Sequence, residues 1–473
     1  MKKMFLMALT TFAMFVLAAC GENDNAYETQ SETEQEQNQK LPTSRDIPAL
    51  SNGSSDYSPT GQSRAELHHP AYITIGGQQF CTTLTWLDLS GLEDFPITNE
   101  NVQQLRYMTN LTNLRLTESN ITDITPIAGL TRLETLNVAG NLVTDISPLT
   151  ELANLNSLSF TFVEGMDLTP VAELHNLSSL RIFARYAQLS DLSPLAPLSS
   201  FTDLDYLDIA PIAELTNLHS LYVVGFHIAD ISPLIELADL SSLNFTFVEG
   251  VDLTPIAELS NLLWLSISAH YAEITDISTL AALSSLTGLY CLRIDLSGNK
   301  ISDLTPLEGL EYLNHLSLAN NHISDITPLA GLINLGSLIL YSNEISDISP
   351  LAGLTNISVL SMGGNNVADI SPLKTMPTLG YMCFNGNRIA DISSLAEMTS
   401  ISTLRLAGNL ITDIGPLAAL TEVWELDLRS NQIVDISPLQ NINCWGFTFL
   451  WLSSNPINDW SPVEHVEYVF GRP

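Results

Sequence analysis

The sequence predicts a solenoid, a stack of short coils wound around one continuous apolar core, and three observations carry that prediction. The first is a phrase that keeps returning. NNHISDITPLAGL at residues 320–332 is followed by SNEISDISPLAGL from 342, GNNVADISPLKTM from 364, GNRIADISSLAEM from 386, GNLITDIGPLAAL from 408 and SNQIVDISPLQNI from 430. The second is the period. Aligned on the acid, the copies give Asp123, Asp145, Asp167, Asp191, Asp208, Asp230, Asp252, Asp276, Asp303, Asp325, Asp347, Asp369, Asp391, Asp413, Asp435 and Asp459, and ten of the 15 steps are 22 residues. A fixed period in the 20–50 range is the mark of a solenoid or a propeller. The third is the apolar register inside one period, where Leu313, Leu316, Leu318, Asn321, Ile323, Ile326 and Leu329 hold the pattern LxxLxLxxNxIxxIxxL.

Each element of a coil follows from its residues. Leu316 and Leu318 alternate with polar neighbours, the period of a short half-buried strand. Asn321 turns the chain inward, where its amide both donates to and accepts from the bare backbone of the bend. Thr327 and Pro328 are expected as N-cap and first position of a brief helical turn, because proline needs no amide partner there. Asp325, and with it Asp347 and Asp369 in the next coils, is expected as a further acceptor for amides of that turn, a structural cap. The cap position is Ser or Thr in 14 of the 16 coils, Ala210 and Gly415 being the exceptions. This spacing is that of a leucine-rich repeat solenoid of about 16 coils with terminal caps.

Sixteen of the 52 acids belong to this ladder, and with 17 Lys and Arg the net charge is −35. Phosphate binding needs clustered cations, so nucleic acid is excluded as a partner class. Charge on this scale keeps an extended surface soluble.

The amino terminus, MKKMFLMALTTFAMFVLAACGEN, reads as a secretory leader: Lys2 and Lys3, an apolar run, then small residues. The run is short for a membrane span. Leu17, Ala18, Ala19 and Cys20 resemble a bacterial lipobox, which implies lipidation at Cys20 and a membrane-attached protein. Residues 21–63 are rich in Glu, Gln, Asn and Ser and poor in large apolar groups, the composition of a tether. The chain therefore divides into a leader (1–19), the lipidated cysteine and acidic tether (20–63), an N-terminal cap (64–110), the solenoid (111–460) and a C-terminal cap (461–473).

Cys81, Cys291, Cys383 and Cys444 fall on different, mostly non-adjacent coils and are expected as packing thiols. No HExxH or CxxC metal spacing, Walker loop, GxSxG elbow or GxGxxG turn occurs. No catalytic residue, metal or cofactor is expected, and the chain does not read as an enzyme.

The coils from about Leu84 to Val463, with their NxIxDIxPLxxL phrase, resemble the 22-residue repeats of the internalin family of bacterial surface proteins. The resemblance implies a right-handed superhelix with short parallel strands on its concave face and 3-10 or short helical turns on its convex face. It also implies binding of other proteins at the cell surface. The chain departs from that family's pattern in having no wall-sorting signal, immunoglobulin-like module or wall-binding modules.

Side chains flanking the buried leucines face the concave side. Most are small, such as Thr135, Ser157, Ser242, Ser317, Ser361 and Thr403. Phe183, Tyr222, Trp264, Tyr341, Tyr381 and Trp451 stand out as candidate partner-binding residues, since aromatics anchor protein interfaces. A block is also duplicated: SFTFVEGMDLTPVAEL from Ser159 recurs as NFTFVEGVDLTPIAEL from Asn244. Its coils replace the inward Asn with Val163, Phe226 and Val248, beside Phe162 and Phe247, as a core filling or as a copied contact patch. The expected function is a lipid-tethered surface recognition or adhesion module, a monomer, whose concave face binds a protein or glycoprotein. The alternative is a passive spacer lipoprotein of the cell envelope.

Overall fold

The computed structural model describes residues 70–90, 97–163, 165–184, 205–420, 423–442 and 449–472. The leader, Cys20, the tether, Asp191 and Cys444 lie outside the described residues.

Among the described residues, seventeen short strands form one open parallel sheet, running from Trp86–Asp88 at one edge to Tyr468–Phe470 at the other. In the regular coils each strand pairs residue for residue with the one 22 positions on, as Ser337↔Val359 and Leu338↔Leu360 do. Leu316, Leu318, Ile323, Ile326 and Leu329 are all fully buried, so every coil feeds the same core. On the opposite wall the chain makes 3-10 turns such as Thr327–Leu329 and Ser349–Gly353, with one-turn α-helices at Thr169–Ala172 and Thr254–Ala257.

At the amino-terminal end the hairpin Tyr72–Ile75/Gln78–Cys81, turned by Gly76 and Gly77 at positive φ, drops Ile73 and Ile75 onto the first coil. It covers an apolar end that would otherwise face water, as terminal units of a solenoid must.

Two departures from the 22-residue period have structural counterparts. The 17-residue step from Asp191 to Asp208 is too short for a full coil, and Ser179–Ala184 pairs directly with Ser220–Val224. Asp205–Tyr206 pairs instead with Phe226–His227, apart from the main sheet. The 27-residue step from Asp276 to Asp303 is absorbed by an eight-residue 3-10 helix, Ser278–Ser285, and by a register shift between Leu292 and Arg293.

The inward asparagines form a buried hydrogen-bond ladder. Asn343 accepts from the amide of Ile323 at 3.0 Å and donates to the carbonyls of Leu318 and Leu340 at 2.9 and 3.1 Å, and Asn321, Asn365, Asn387, Asn409 and Asn431 repeat the arrangement. The residue before each is held at positive φ, 54° at Asn320 and 65° at Gly364, which accounts for the NN, SN and GN pairs in the sequence. In the duplicated block Phe162, Phe226, Phe247 and Val248 are buried in the core, and Phe162 meets Phe226 edge-to-face at 5.6 Å. These rings fill the space the amide occupies elsewhere and are not presented as a contact patch.

Candidate functional site

The acid ladder and the expected hydroxyl cap separate once atoms are placed. Ile326, not Thr327, is the N-cap residue of its turn and no side chain on it caps the helix; Thr327 is already inside. The acceptor is Asp325, whose Oδ1 takes the amide of Thr327 at 2.8 Å, and Asp347 and Asp369 take those of Ser349 and Ser371 at the same distance. At the two coils lacking a hydroxyl the bond persists, Asp208 accepting from Ala210 at 2.9 Å and Asp413 from Gly415 at 2.8 Å. The acid is therefore the invariant part of the device and the hydroxyl an accessory. Where the hydroxyl engages, as at Thr169 and Thr305, it donates to the same carboxylate.

These bonds favour the charged carboxylate. The Thr327 hydroxyl and amide hold Asp325 below the usual carboxylate range, and the Ser349 amide and hydroxyl do the same for Asp347. Groups depressed in the folded state contribute stability above the unfolded carboxylate pKa of about 4 and lose it as pH falls through their folded values. The melting temperature of the protein is therefore expected to hold from neutral pH down to about 4 and to fall below it, measured by circular dichroism across pH. Asp347→Ala should lower it only slightly and leave partner binding unchanged. Loss of binding at unchanged melting temperature would make the ladder a recognition stripe instead.

The sheet face has a different character. Its strands carry Arg115, Arg181, Arg293 and Arg405 against Asp88, Asp295, Glu425 and Asp427, so it is charge-balanced while the acid ladder runs along the turns. His315, in the same face, is held down to about 4 by burial and is uncharged at neutral pH.

The structure sorts the six expected aromatics into four places. Phe183 and Tyr222 come together, ring centroids 5.3 Å apart, on strands joined directly across the short coil. Trp264, 46% exposed, stands 5.1 Å from the ring of Tyr290, which is 73% exposed, with Leu263 exposed beside it. Tyr341 packs against a small apolar cluster of Ala319, Ile339, Tyr381 and Cys383. Tyr381 itself is only 2% exposed, so it serves as packing, not as a surface anchor: its ring fills the face between neighbours too small to keep it out. Trp451 lies at the carboxyl-terminal end, stacked with Phe449 and Phe470.

Several exposed aromatics escape a reading confined to the six, Phe449, Phe470 and Tyr290 among them. Phe449 and Phe470 flank the apolar residues of the last two strands and obey the same rule as the others. Tyr290 sits just ahead of strand Cys291–Asp295 in the irregular 27-residue step, where no repeat register points to it. A second, outer ladder is also present: Asn154, Asn176, Asn334 and Asn356 each donate to the carbonyl 23 residues back.

Among the described residues no group of three His, Cys, Asp or Glu is placed to hold a metal ion, and no helix is long and apolar enough to cross a membrane.

A sequence profile described as leucine-rich repeats (two copies) matches residues 109–151, 292–331 and 333–375. Comparison with curated proteins finds no match. Among solved structures the chain is similar to a leucine-rich repeat protein of Leptospira interrogans, with 19% identity over 78% of this chain and 96% of that one and a TM-score of 0.59. It is similar to the functional domain of InlJ from Listeria monocytogenes, with 19% identity, coverage of 74% and 75% and a TM-score of 0.50. It also resembles an internalin of Listeria monocytogenes at 27% identity, covering 77% of this chain and 88% of that one, with a TM-score of 0.44. The repeats, the open parallel sheet and the turns opposite it make this chain a leucine-rich repeat solenoid.

Proposed function

We propose that the chain is a recognition module tethered to the bacterial surface through a lipid on Cys20, binding a protein or glycoprotein on the sheet face. The observation that carries this reading is the exposed cluster of Trp264, Tyr290 and Leu263 at mid-solenoid. Large apolar groups held in water by a rigid scaffold are the form that interface anchors take. The neighbouring pair of Tyr222 and Phe183 lies two and three strand steps away on the same sheet, within one partner's footprint.

The face is preorganised. Its strands are fixed by in-register pairing and, where the inward asparagine is missing, by rings packed into the core, so little ordering entropy is spent on binding. Its charge balance favours shape and apolar contact over electrostatic steering.

Capture with the soluble region, residues 64–473, separates this reading from a passive spacer: recovery of a saturable partner supports recognition. The tether has its own test. Wild-type protein expressed with a radiolabelled fatty acid is expected to take up label and Cys20→Ala is expected to take up none; an unlabelled wild type would contradict the lipid anchor.

A further inference from the structure

A second surface, at the opposite end from the hairpin cap, has a composition unlike the mid-solenoid cluster. The last four strands line up two rows of side chains. Glu425, Phe449 and Tyr468 occupy one row; Arg405, Asp427, Trp451 and Phe470 occupy the other. Each row is polar on the inner strands and aromatic on the outer two.

The aromatic half is a shingled platform. Trp451 and Phe470 are 5.4 Å apart at 12°, Phe449 and Trp451 5.7 Å apart at 21°, and Phe449 and Tyr468 5.2 Å apart at 35°. Near-parallel rings at these centroid distances are displaced sideways, which leaves part of each face uncovered. Phe449 is 36% and Phe470 44% exposed. The polar half is neutral: Arg405 pairs with Glu425, and Arg429 holds Asp427 through two bonds of 2.9 and 2.7 Å.

We propose that this end of the sheet is a binding site for a neutral oligosaccharide. The C–H face of a sugar ring carries partial positive charge and stacks on the negative face of an aromatic ring. Its hydroxyls would meet the Arg429 guanidinium, whose side chain is 45% exposed, whereas Arg405 and Asp427 are buried and Glu425 is largely so. Four strands span about 14 Å, room for a short chain of sugars and more than a single ring needs. A charged protein patch would find the charges of the two rows already paired, with the Glu467 carboxylate beside Tyr468 at their rim. Nucleobases also stack on such rings, but their phosphates would be repelled by a chain of net charge −35.

The test is titration of the full chain with cellohexaose, chitohexaose and mannohexaose, followed by tryptophan fluorescence and calorimetry. At least one is expected to bind saturably, with affinity reduced about tenfold or more by Trp451→Ala or Phe470→Ala. Trp451→Tyr, which keeps a stacking ring, should retain most of the affinity. Trp264→Ala should bind the sugar as wild type does, so failure here and failure of the mid-solenoid protein site are distinguishable. Thermal melting of each variant shows that the fold is intact. Absence of binding to all three hexasaccharides, binding that Trp451→Ala and Phe470→Ala leave unchanged, or capture of a protein alone at this surface would overturn the proposal.

Discussion

Asn343→Ala is expected to destabilise the solenoid by about 2–3 kcal/mol, beyond the loss of one ordinary hydrogen bond. The side chain is 7% exposed and serves two coils at once. Its removal strands the amide of Ile323, while the carbonyls of Leu318 and Leu340 each lose one of two asparagine donors and keep the other, from Asn321 and Asn365. A buried group left without a partner costs about 1–3 kcal/mol, and the two weakened carbonyl bonds add to it in the same dry core. Asn356→Ala, in the outer ladder, is the control. Asn356 is exposed and makes one bond to Ile333, which water can replace, so its loss should cost less than about 1 kcal/mol. Equilibrium denaturation of both variants checks the contrast. Repeat proteins can lose cooperativity, so hydrogen exchange at residues 318–345 should be followed alongside, with protection falling first there for Asn343→Ala. Equal losses in the two variants would remove the buried ladder as a principal source of order.

The second large effect concerns the duplicated block. Phe226 is fully buried and packs edge-to-face on Phe162, where a regular coil has an asparagine. Phe226→Ala should cost about 3–5 kcal/mol through lost burial and the cavity left behind. It should leave captured-partner affinity unchanged in protein that remains folded below its lowered melting temperature. A variant that keeps its melting temperature but loses the partner would mean that the duplication had copied a contact.

The sequence exposed this architecture because a solenoid repeats its local physics. Leu316, Leu318, Asn321, Ile323 and Asp325 recur in the same relation coil after coil, so chance agreement is averaged away, and strand, bend and turn all follow from one period. The cap was harder to assign. Threonine and serine are usual N-cap residues, but here the preceding aspartate reaches the same amide, and only the coils with Ala210 and Gly415 reveal which group is essential. The surface was legible in position and not in exposure. Flanking the buried leucines puts a residue on the sheet face, but whether its ring stands out depends on its neighbours on adjacent strands. Tyr381 sinks among Ala319, Ile339 and Cys383, whereas Trp264, between Ser242 and Cys291, remains in water. Tyr290 was hidden for another reason, since it lies where the period breaks.

The preorganised sheet face also predicts how binding energy is distributed. A few exposed rings should dominate, and the small residues around them, several of them buried at the face like Ser361 and Thr403, should matter little. The measurement that bears most directly on recognition by this face is calorimetric titration of a captured protein partner against wild type, Trp264→Ala and Tyr222→Ala. The account predicts that each substitution weakens binding by about 2 kcal/mol or more at unchanged melting temperature; wild-type affinity in both variants would contradict it.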